Sequence, residues 1–160
     1  MRRKDKEIID VNEKLKIIGK NKVCRLALSD NHQPYIVPLN YGYSFEKEIL
    51  TFYFHSANEG KKLEIMKKNN RACVEIDCDD VLIEGEKPCN YNYAFKSIIA
   101  VGRIIMLNTI DEKKEGLTHL MKHQTGKSEQ YHFDEKMMER IIVYKMVAEE
   151  FTGKRKEVLQ

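Results

Sequence analysis

The sequence predicts a mainly β protein, an antiparallel barrel with helices at its periphery. About six segments have the composition and alternation of strands, and most of them follow one another directly. Helical patterns occur at the start, in the middle and before the last strand, so strands and helices do not alternate strictly. That order disfavours a doubly wound parallel sheet and favours hairpins and long twisted strands that form a barrel.

The N-terminal part of the chain is predicted to form a helix followed by a β-hairpin. Apolar residues recur at spacings of three and four within residues 5–19, which is the pattern of a helix with one buried face. Residues 22–29 and 33–43 have the composition of two strands, and the turn-forming residues 30–32 join them. Pro38 cannot donate to a strand ladder, so it predicts an edge, a bulge or a change of pairing partner.

The rest of the chain supplies the remaining strands and helices. Strands are predicted at residues 49–55, 71–83, 96–107 and 141–153, and helical segments after residue 55, from about Asp111 and around residues 134–140. Gly102 lies inside a long apolar strand and is expected to mark a bend. No linker, repeat or low-complexity run interrupts the chain. We therefore expect residues 1–160 to form a single domain, with the barrel spanning residues 22–153.

The composition is that of an ordinary soluble protein. Hydrophobic residues make up 42% of the chain, charged residues 33%, and the net charge is +3. That net charge gives no argument for a nucleic-acid partner, and no apolar run approaches the roughly 20 residues of a membrane span. The basic N-terminus leads into no apolar signal core, and the four cysteines form no CxxC pair. We therefore expect a cytoplasmic protein with reduced cysteines and no metal centre.

The candidate site centres on residues 50–67, where an aromatic-rich strand leads into a short helix. Ser56 and Glu59 have the spacing of a capping box at the start of that helix. Lys61 and Lys62 follow in its first turn, where positive charge opposes the helix dipole. A bound phosphate would explain these lysines, because a helix N-terminus offers free N–H groups and a favourable field. Solvated surface charge is the alternative.

Histidines provide a second set of candidates. His55 ends the strand that precedes the candidate phosphate-binding turn, where it could be an acid or only a hydrogen-bonding residue. Glu115, His119 and His123 recur at intervals of four on a predicted helix, and paired histidines at that spacing can chelate a metal. No further ligand lies near them in sequence and the HExxH pattern is absent, so a solvated polar face is the default interpretation.

Aromatic residues before the third long strand provide another set. Tyr91, Tyr93 and Phe95 could stack on a planar ligand or simply cover the mouth of the barrel. Ser97 follows them and could donate a hydrogen bond to a phosphate or a ring oxygen. The sequence contains no GxSxG, Walker or GxGxxG motif, so nothing supports a serine hydrolase, a P-loop nucleotidase or a Rossmann enzyme.

Taken together, four segments resemble the pyridoxamine 5'-phosphate oxidase-like flavoproteins, and among these the 5-nitroimidazole-resistance branch. The segments are residues 23–43, residues 53–66, residues 93–104 and the closing EFTGK. The resemblance extends over about residues 5–155 and rests on the four segments occurring in this order. It implies a six-stranded antiparallel split β-barrel that binds FMN in a groove at a homodimer interface.

The resemblance also implies which residues hold the cofactor. Lys62 is the preferred direct contact to the phosphate, and His55 is the candidate acid or substrate-orienting group. The implied cofactor-binding residues are Val37, Pro38, Leu39 and Asn40 along the isoalloxazine; His55, Ser56, Ala57, Gly60, Lys61 and Lys62 at the ribityl chain and phosphate; and Ser97 and Ile98 from the facing strand.

Three hypotheses follow for the function. The first is an FMN-dependent oxidoreductase, resembling nitroimidazole reductases, that acts on a small molecule. The second is a non-catalytic flavin- or haem-binding protein on the same fold, and the third is an interaction domain with an empty groove. The chain shows no extra basic set of the kind with which the oxidases of the family bind the phosphate of their substrate, and the C-terminal TGKRKEVLQ lacks the family's substrate-binding ending, which disfavours vitamin B6 oxidation.

Overall fold

The computed structural model describes residues 3–157. Within this range eight strands form one sheet and four α-helices flank it, with short 3-10 turns before β1 and before β7. The strands are β1 Glu7–Ile8, β2 Val23–Asp30, β3 Gln33–Asn40, β4 Gly42–Glu46, β5 Ile49–Ala57, β6 Arg71–Ile83, β7 Asn92–Leu107 and β8 Ile141–Lys156; the helices are α1 Val11–Lys20, α2 Lys61–Lys68, α3 Ile110–Thr125 and α4 Glu135–Glu139.

The sheet is an antiparallel barrel that is split along one seam. Its strand order is β3-β2-β6-β7-β8-β5-β4, with β1 added beside β8. β3 and β4 lie at opposite ends of this order although only Tyr41 separates them in the chain. One residue spans at most about 7 Å between its neighbours, so the two edges must meet at that point. The predicted antiparallel split barrel is confirmed, with eight strands in place of six.

The barrel interior holds the main hydrophobic core. Alternate residues of the strands point into it, and α1 and α2 add Ile18 and Leu63. A second, smaller cluster lies outside the barrel, where α3 and α4 pack on β5, β7 and β8. Its members are Tyr53, Leu107, Leu117, Met138 and Val143. The helices α3 and α4 therefore cover the outer face of the sheet on one side of the seam.

Most predicted elements are present; several boundaries differ, and two of these differences have a clear physical cause. The strand predicted at residues 71–83 has the same bounds as β6. The helix predicted for residues 5–19 begins only at Val11, because the Asp10 side chain accepts a hydrogen bond from the Asn12 N–H and caps it there. Ile8, which was assigned to that helix, lies in β1 opposite Gly153.

The second boundary that differs is the predicted strand 33–43, which is two strands. Tyr41 is fully buried and its hydroxyl donates to the Ile18 carbonyl at 2.7 Å, which fixes the point where the chain leaves β3 for β4. The prediction from Pro38 is confirmed, because β3 is an edge strand and pairing changes partner directly after it. The bend predicted at Gly102 is also confirmed, since the β7–β8 register shifts between Val101 and Gly102.

Among residues 3–157, no helix combines the length and hydrophobicity needed to cross a membrane.

Candidate functional site

The corner where β5 leads into α2 has the backbone geometry of an anion site. Gly60 precedes the helix with a φ of 128°, and no atom lies within 4 Å of the place a Cβ would take. Its carbonyl accepts the N–H groups of Leu63 and Glu64 at 2.9 and 3.4 Å. Within residues 3–157 the N–H groups of Lys61 and Lys62 have no acceptor, and no side chain caps the helix. This corner therefore offers free donors at the positive end of a helix dipole.

The capping box predicted from Ser56 and Glu59 is wrong. Ser56 lies inside β5, where it pairs with Ile142, and its hydroxyl donates to the Ala57 carbonyl at 2.8 Å. Its side chain is buried, whereas Ala57 on the other face of the strand is exposed. Strand pairing thus extends past the residue that the local pattern assigned to the helix cap, and the first turn of α2 keeps its donors free.

The lysines of this corner are not neutralised by the protein. Lys61 Nζ lies 5.5 Å from the centre of the Tyr35 ring on β3, a cation–π contact that brings the start of α2 beside β3. In the part of the chain that the structure describes, neither Lys61 nor Lys62 forms an ion pair, although Glu59 and Glu64 flank them. Unpaired positive charge beside free N–H groups fits a phosphate better than it fits the protein's own side chains.

His55 lies at the same corner on the outer face of β5. Loss of solvent around its ring and the positive charge of Lys62 lower the pKa of His55, so the imidazole is neutral at pH 7. A neutral imidazole carries one N–H donor and one acceptor nitrogen. The histidine can therefore donate a hydrogen bond to an anion held by Lys62, and it remains accessible to solvent.

The predicted ring-binding residues of β3 alternate between the two faces of the barrel wall. Val37 and Leu39 are half-buried and pack against the core, whereas Pro38 and Asn40 are exposed on the outer face. A ligand on the outer face could touch the side chains of Pro38 and Asn40 but only the backbone of the other two. Lys61 lies beside Tyr35 of the same strand, so the structure brings β3 and the β5–α2 corner together.

Asn40 is already part of a polar network at the seam. Its Nδ2 donates to the Lys22 carbonyl and to Gln124 Oε1, both at 3.2 Å. Gln124 Nε2 in turn donates to the carbonyls of Lys22 and Tyr41 at 3.0 and 2.9 Å. The amide of Asn40 therefore ties the β3–β4 crossing to the end of α3, and only its oxygen is left for a ligand.

Ser97 and Ile98 are not brought to the corner within one chain. Ser97 lies on the outer face of β7 opposite Asp77 and Lys154, whereas Ile98 is fully buried in the core. β2 and β6 separate β7 from β3, which places Ser97 about 14 Å along the sheet from the edge strand. Within one chain Ser97 is therefore not beside β3, and the buried side chain of Ile98 cannot reach a ligand on the outer face.

The histidines of α3 serve packing. The His119 ring stacks on Tyr53 with a centroid distance of 4.5 Å, and His123 Nε2 lies 2.6 Å from the Asn21 carbonyl oxygen, to which it donates. Burial lowers the pKa of both rings. Among residues 3–157 no group of three metal-ligating side chains comes together.

A cavity beside His55 was not predicted from the sequence. It has a volume of about 310 Å³ and lies between β5, α3, α4 and the loop before α4. Its walls are mostly apolar, and we call it the α3–α4 cavity; the side chains that line it include His55, Met121, His132, Phe133, Asp134 and Met137. The loop at residues 126–134 has neither helical nor strand periodicity, so no sequence pattern predicts this wall.

Comparison with known proteins identifies the family and the fold of this chain. A family model described as pyridoxamine 5'-phosphate oxidase matches residues 10–155. A proposed 5-nitroimidazole antibiotic resistance protein from Bacteroides thetaiotaomicron shares 26% identity with a TM-score of 0.80, over 94% of this chain and 90% of that one. A FAD-binding protein from Mesorhizobium loti shares 25% identity with a TM-score of 0.64, over 93% and 96%.

A more distant structure supports the fold alone. A FAD- and haem-binding protein from Mycobacterium smegmatis shares 13% identity with a TM-score of 0.83, over 96% of this chain and 74% of that one. A search of curated proteins finds no match. Because the family model extends over nearly the whole barrel, the assignment does not depend on any single motif. The chain belongs to the pyridoxamine 5'-phosphate oxidase family.

Proposed function

We propose that the protein is a flavin-dependent oxidoreductase that holds FMN and resembles 5-nitroimidazole reductases. The observation that carries the proposal is the start of α2, where two N–H groups without acceptors and two lysines without acidic partners, as far as residues 3–157 show, converge. The similarity to a proposed 5-nitroimidazole resistance protein at 26% identity and to a FAD-binding protein at 25% supports a flavin and suggests the substrate class.

The residues present fit the phosphate end of FMN. Lys62 and Lys61 would supply positive charge, and the helix N-terminus would supply oriented N–H donors to a dianion. The flavin would supply the electron-transfer chemistry, while the protein determines its position and electrostatic surroundings. His55 would contact the phosphate end, because it lies next to Lys62. Because the phosphate end lies away from the isoalloxazine, we do not propose His55 as the acid or substrate-orienting group.

We further propose that the site is completed by a homodimer. Ser97 lies about 14 Å from β3 in its own chain, so the contact that the family pattern assigns to it requires a second copy. The outer face of the sheet exposes apolar side chains that a second copy would cover. They include Ile36, exposed to 63% on β3, and Ile99, exposed to 47% on β7.

The deciding experiment is a visible absorption spectrum of the purified protein, followed by titration of the flavin-free form with FMN. We expect a flavin spectrum and saturable uptake, and reduction of a 5-nitroimidazole when NADPH or NADH is supplied under anaerobic conditions. A colourless protein that takes up no FMN would refute the proposal. Bound flavin without turnover over a range of acceptors would favour the non-catalytic binder instead.

A further inference from the structure

A small cavity lies between α2, the end of β7 and the start of α3, and we call it the α2–α3 cavity. It has a volume of about 240 Å³. Leu63 of α2, Met106 of β7 and Val143 of β8 belong to its apolar inner wall, and all three are buried or partly buried. Leu107 is paired with Val143 across β7 and β8, so two strands of the barrel fix this wall.

The cavity lies on a different face of α2 from the lysine that contacts β3. Leu63 and Lys67 are four residues apart on the helix, so they share the face that lines the cavity. Lys61 precedes Leu63 by two residues, which places it about 200° around a helix of 3.6 residues per turn. Its ammonium lies over the Tyr35 ring of β3. Neither Lys61 nor Lys62 lines the cavity, which is therefore separate from the proposed phosphate site.

Lys113 of α3 brings a positive charge to the cavity. Its Nζ donates to the carbonyls of Met138 and Ile141 at 2.8 and 3.0 Å. An ammonium group has three N–H donors, so one donor is left without an acceptor among residues 3–157. In the same range the half-buried Lys113 forms no ion pair, whereas its neighbour Lys114 pairs with Glu135. Partial removal of a charge from water costs free energy unless a counter-ion is near, and a bound anion would offset that cost.

The other polar groups of the cavity also favour an anion. Lys67, Asn58 and Asn108 are exposed at its opening, and neither carboxamide has a hydrogen-bond partner in the part of the chain that the structure describes. No aspartate or glutamate among these residues lines the cavity. Its volume is below the roughly 300–1,000 Å³ of sites for drug-sized molecules. The cavity therefore suits a small ligand that has a negative group at one end and an apolar body.

We propose that the α2–α3 cavity binds a small organic monocarboxylate, with the carboxylate at Lys113 and the apolar body against Leu63 and Met106. The single free donor of Lys113 suits one carboxylate, and the exposed Lys67 adds long-range attraction. The apolar inner wall could not replace the water around a dianion such as phosphate, but it buries a hydrocarbon group favourably. The inference is independent of the flavin, because the two sites share no lysine.

The test is binding of 4-fluorobenzoate to the purified protein, measured by fluorine NMR. We expect saturable binding. The amide 4-fluorobenzamide has the same ring without the charge and should bind at least about tenfold more weakly. Acetate has the charge without the ring and should displace the probe only at concentrations at least about tenfold above those of benzoate. Equal affinity for the acid and the amide, or no saturable binding, would overturn the inference.

Variants of the lysines locate the bound probe. Lys113→Gln should weaken binding of 4-fluorobenzoate about tenfold. Lys114→Gln is the matched control on the same helix, because Lys114 does not line the cavity, and it should leave the affinity within about twofold. Since Lys113 also binds two backbone carbonyls, Lys67→Gln gives a measurement that does not depend on the folding of the first variant. It should weaken binding about two- to threefold, because Lys67 is exposed. Unchanged affinity in both cavity variants would show that the probe binds elsewhere and would overturn the inference.

Discussion

Replacement of Lys62 tests most directly whether the corner where β5 leads into α2 binds the flavin phosphate. We expect Lys62→Gln to weaken FMN binding while leaving the binding of riboflavin, which lacks the phosphate, unchanged. The neutral glutamine keeps a side chain of similar length and removes the charge. Lys62 lies in the first turn of α2, has no acidic partner in the described part of the chain, and is only partly exposed.

The size of the effect follows from these contacts. A hydrogen bond to a charged group contributes about 1.5–3 kcal/mol, and partial exposure of Lys62 favours the lower end. A loss of about 1.5 kcal/mol raises the dissociation constant for FMN about tenfold. Lys61 is exposed and its ammonium already lies over the Tyr35 ring, so Lys61→Gln should cost only about 0.5 kcal/mol, or two- to threefold.

The assay is quenching of flavin fluorescence at low and moderate ionic strength, with each variant titrated against FMN and riboflavin. Lys67→Gln serves as the control, because this lysine lies in the last turn of the same helix. The wild-type preference for FMN should shrink with added salt, since the contact is electrostatic. If Lys62→Gln weakened riboflavin and FMN to the same extent, the lysine would not contact the phosphate and the reasoning from the helix N-terminus would be refuted.

Three further predictions concern stability, each measured by urea unfolding. Gly102→Ala should destabilise the protein by about 2–3 kcal/mol, because the new Cβ would lie 2.0 Å from the Val147 carbonyl oxygen; wild-type stability would contradict the observed strand approach. Tyr144→Phe should stabilise it by about 1 kcal/mol, because within residues 3–157 this buried hydroxyl has no hydrogen-bond partner; a loss of stability would show a partner that the structure lacks. Stability should fall as pH drops from 7.5 to 5.5. Burial lowers the folded-state pKa of His123 below 6.5, so the unfolded chain takes up the proton first, with a slope of at most about 1.4 kcal/mol per pH unit for this residue; a flat profile would contradict its burial.

The fold was predictable where one face of an element carries a regular pattern. Ala72, Val74 and Ile76 alternate with residues that are more exposed to solvent. β6 has the predicted bounds because burial of one face strongly constrains the register of a strand. The break at Tyr41 was not predictable, since it depends on a tertiary hydrogen bond to Ile18. The capping box at Ser56 failed for the same kind of reason: pairing with β8 overrides a local preference.

The candidate site likewise has one part that depends on local sequence and another that depends on tertiary contacts. The β5–α2 corner lies within one short stretch of sequence, so the lysines and the start of the helix could be located from the sequence, while phosphate binding there stays a prediction. The α3–α4 cavity is lined by α3, the loop that follows it and α4, which are contiguous in the chain, and by His55 of β5, which is distant in sequence. Ser97 was predicted as a hydrogen-bond donor from its position at the start of a strand, but only the family resemblance connected it with β3, and the distance between the two along the sheet shows why no local pattern could do so.

The helices α2 and α4 differ in how many of their residues are buried in the hydrophobic clusters, and this difference predicts which substitutions flavin binding should tolerate. α2 buries Leu63, Ile65 and Met66 in the barrel core, so its N-terminal donors are fixed before any ligand arrives. A donor set that is already ordered loses little entropy on binding, which favours recognition of the phosphate in any flavin. α4 has only five residues and buries Met138 alone, so the adjacent wall of the α3–α4 cavity can adjust at small cost. Affinity for FMN should therefore tolerate changes on the exposed face of α4, whereas changes in the first turn of α2 should weaken it.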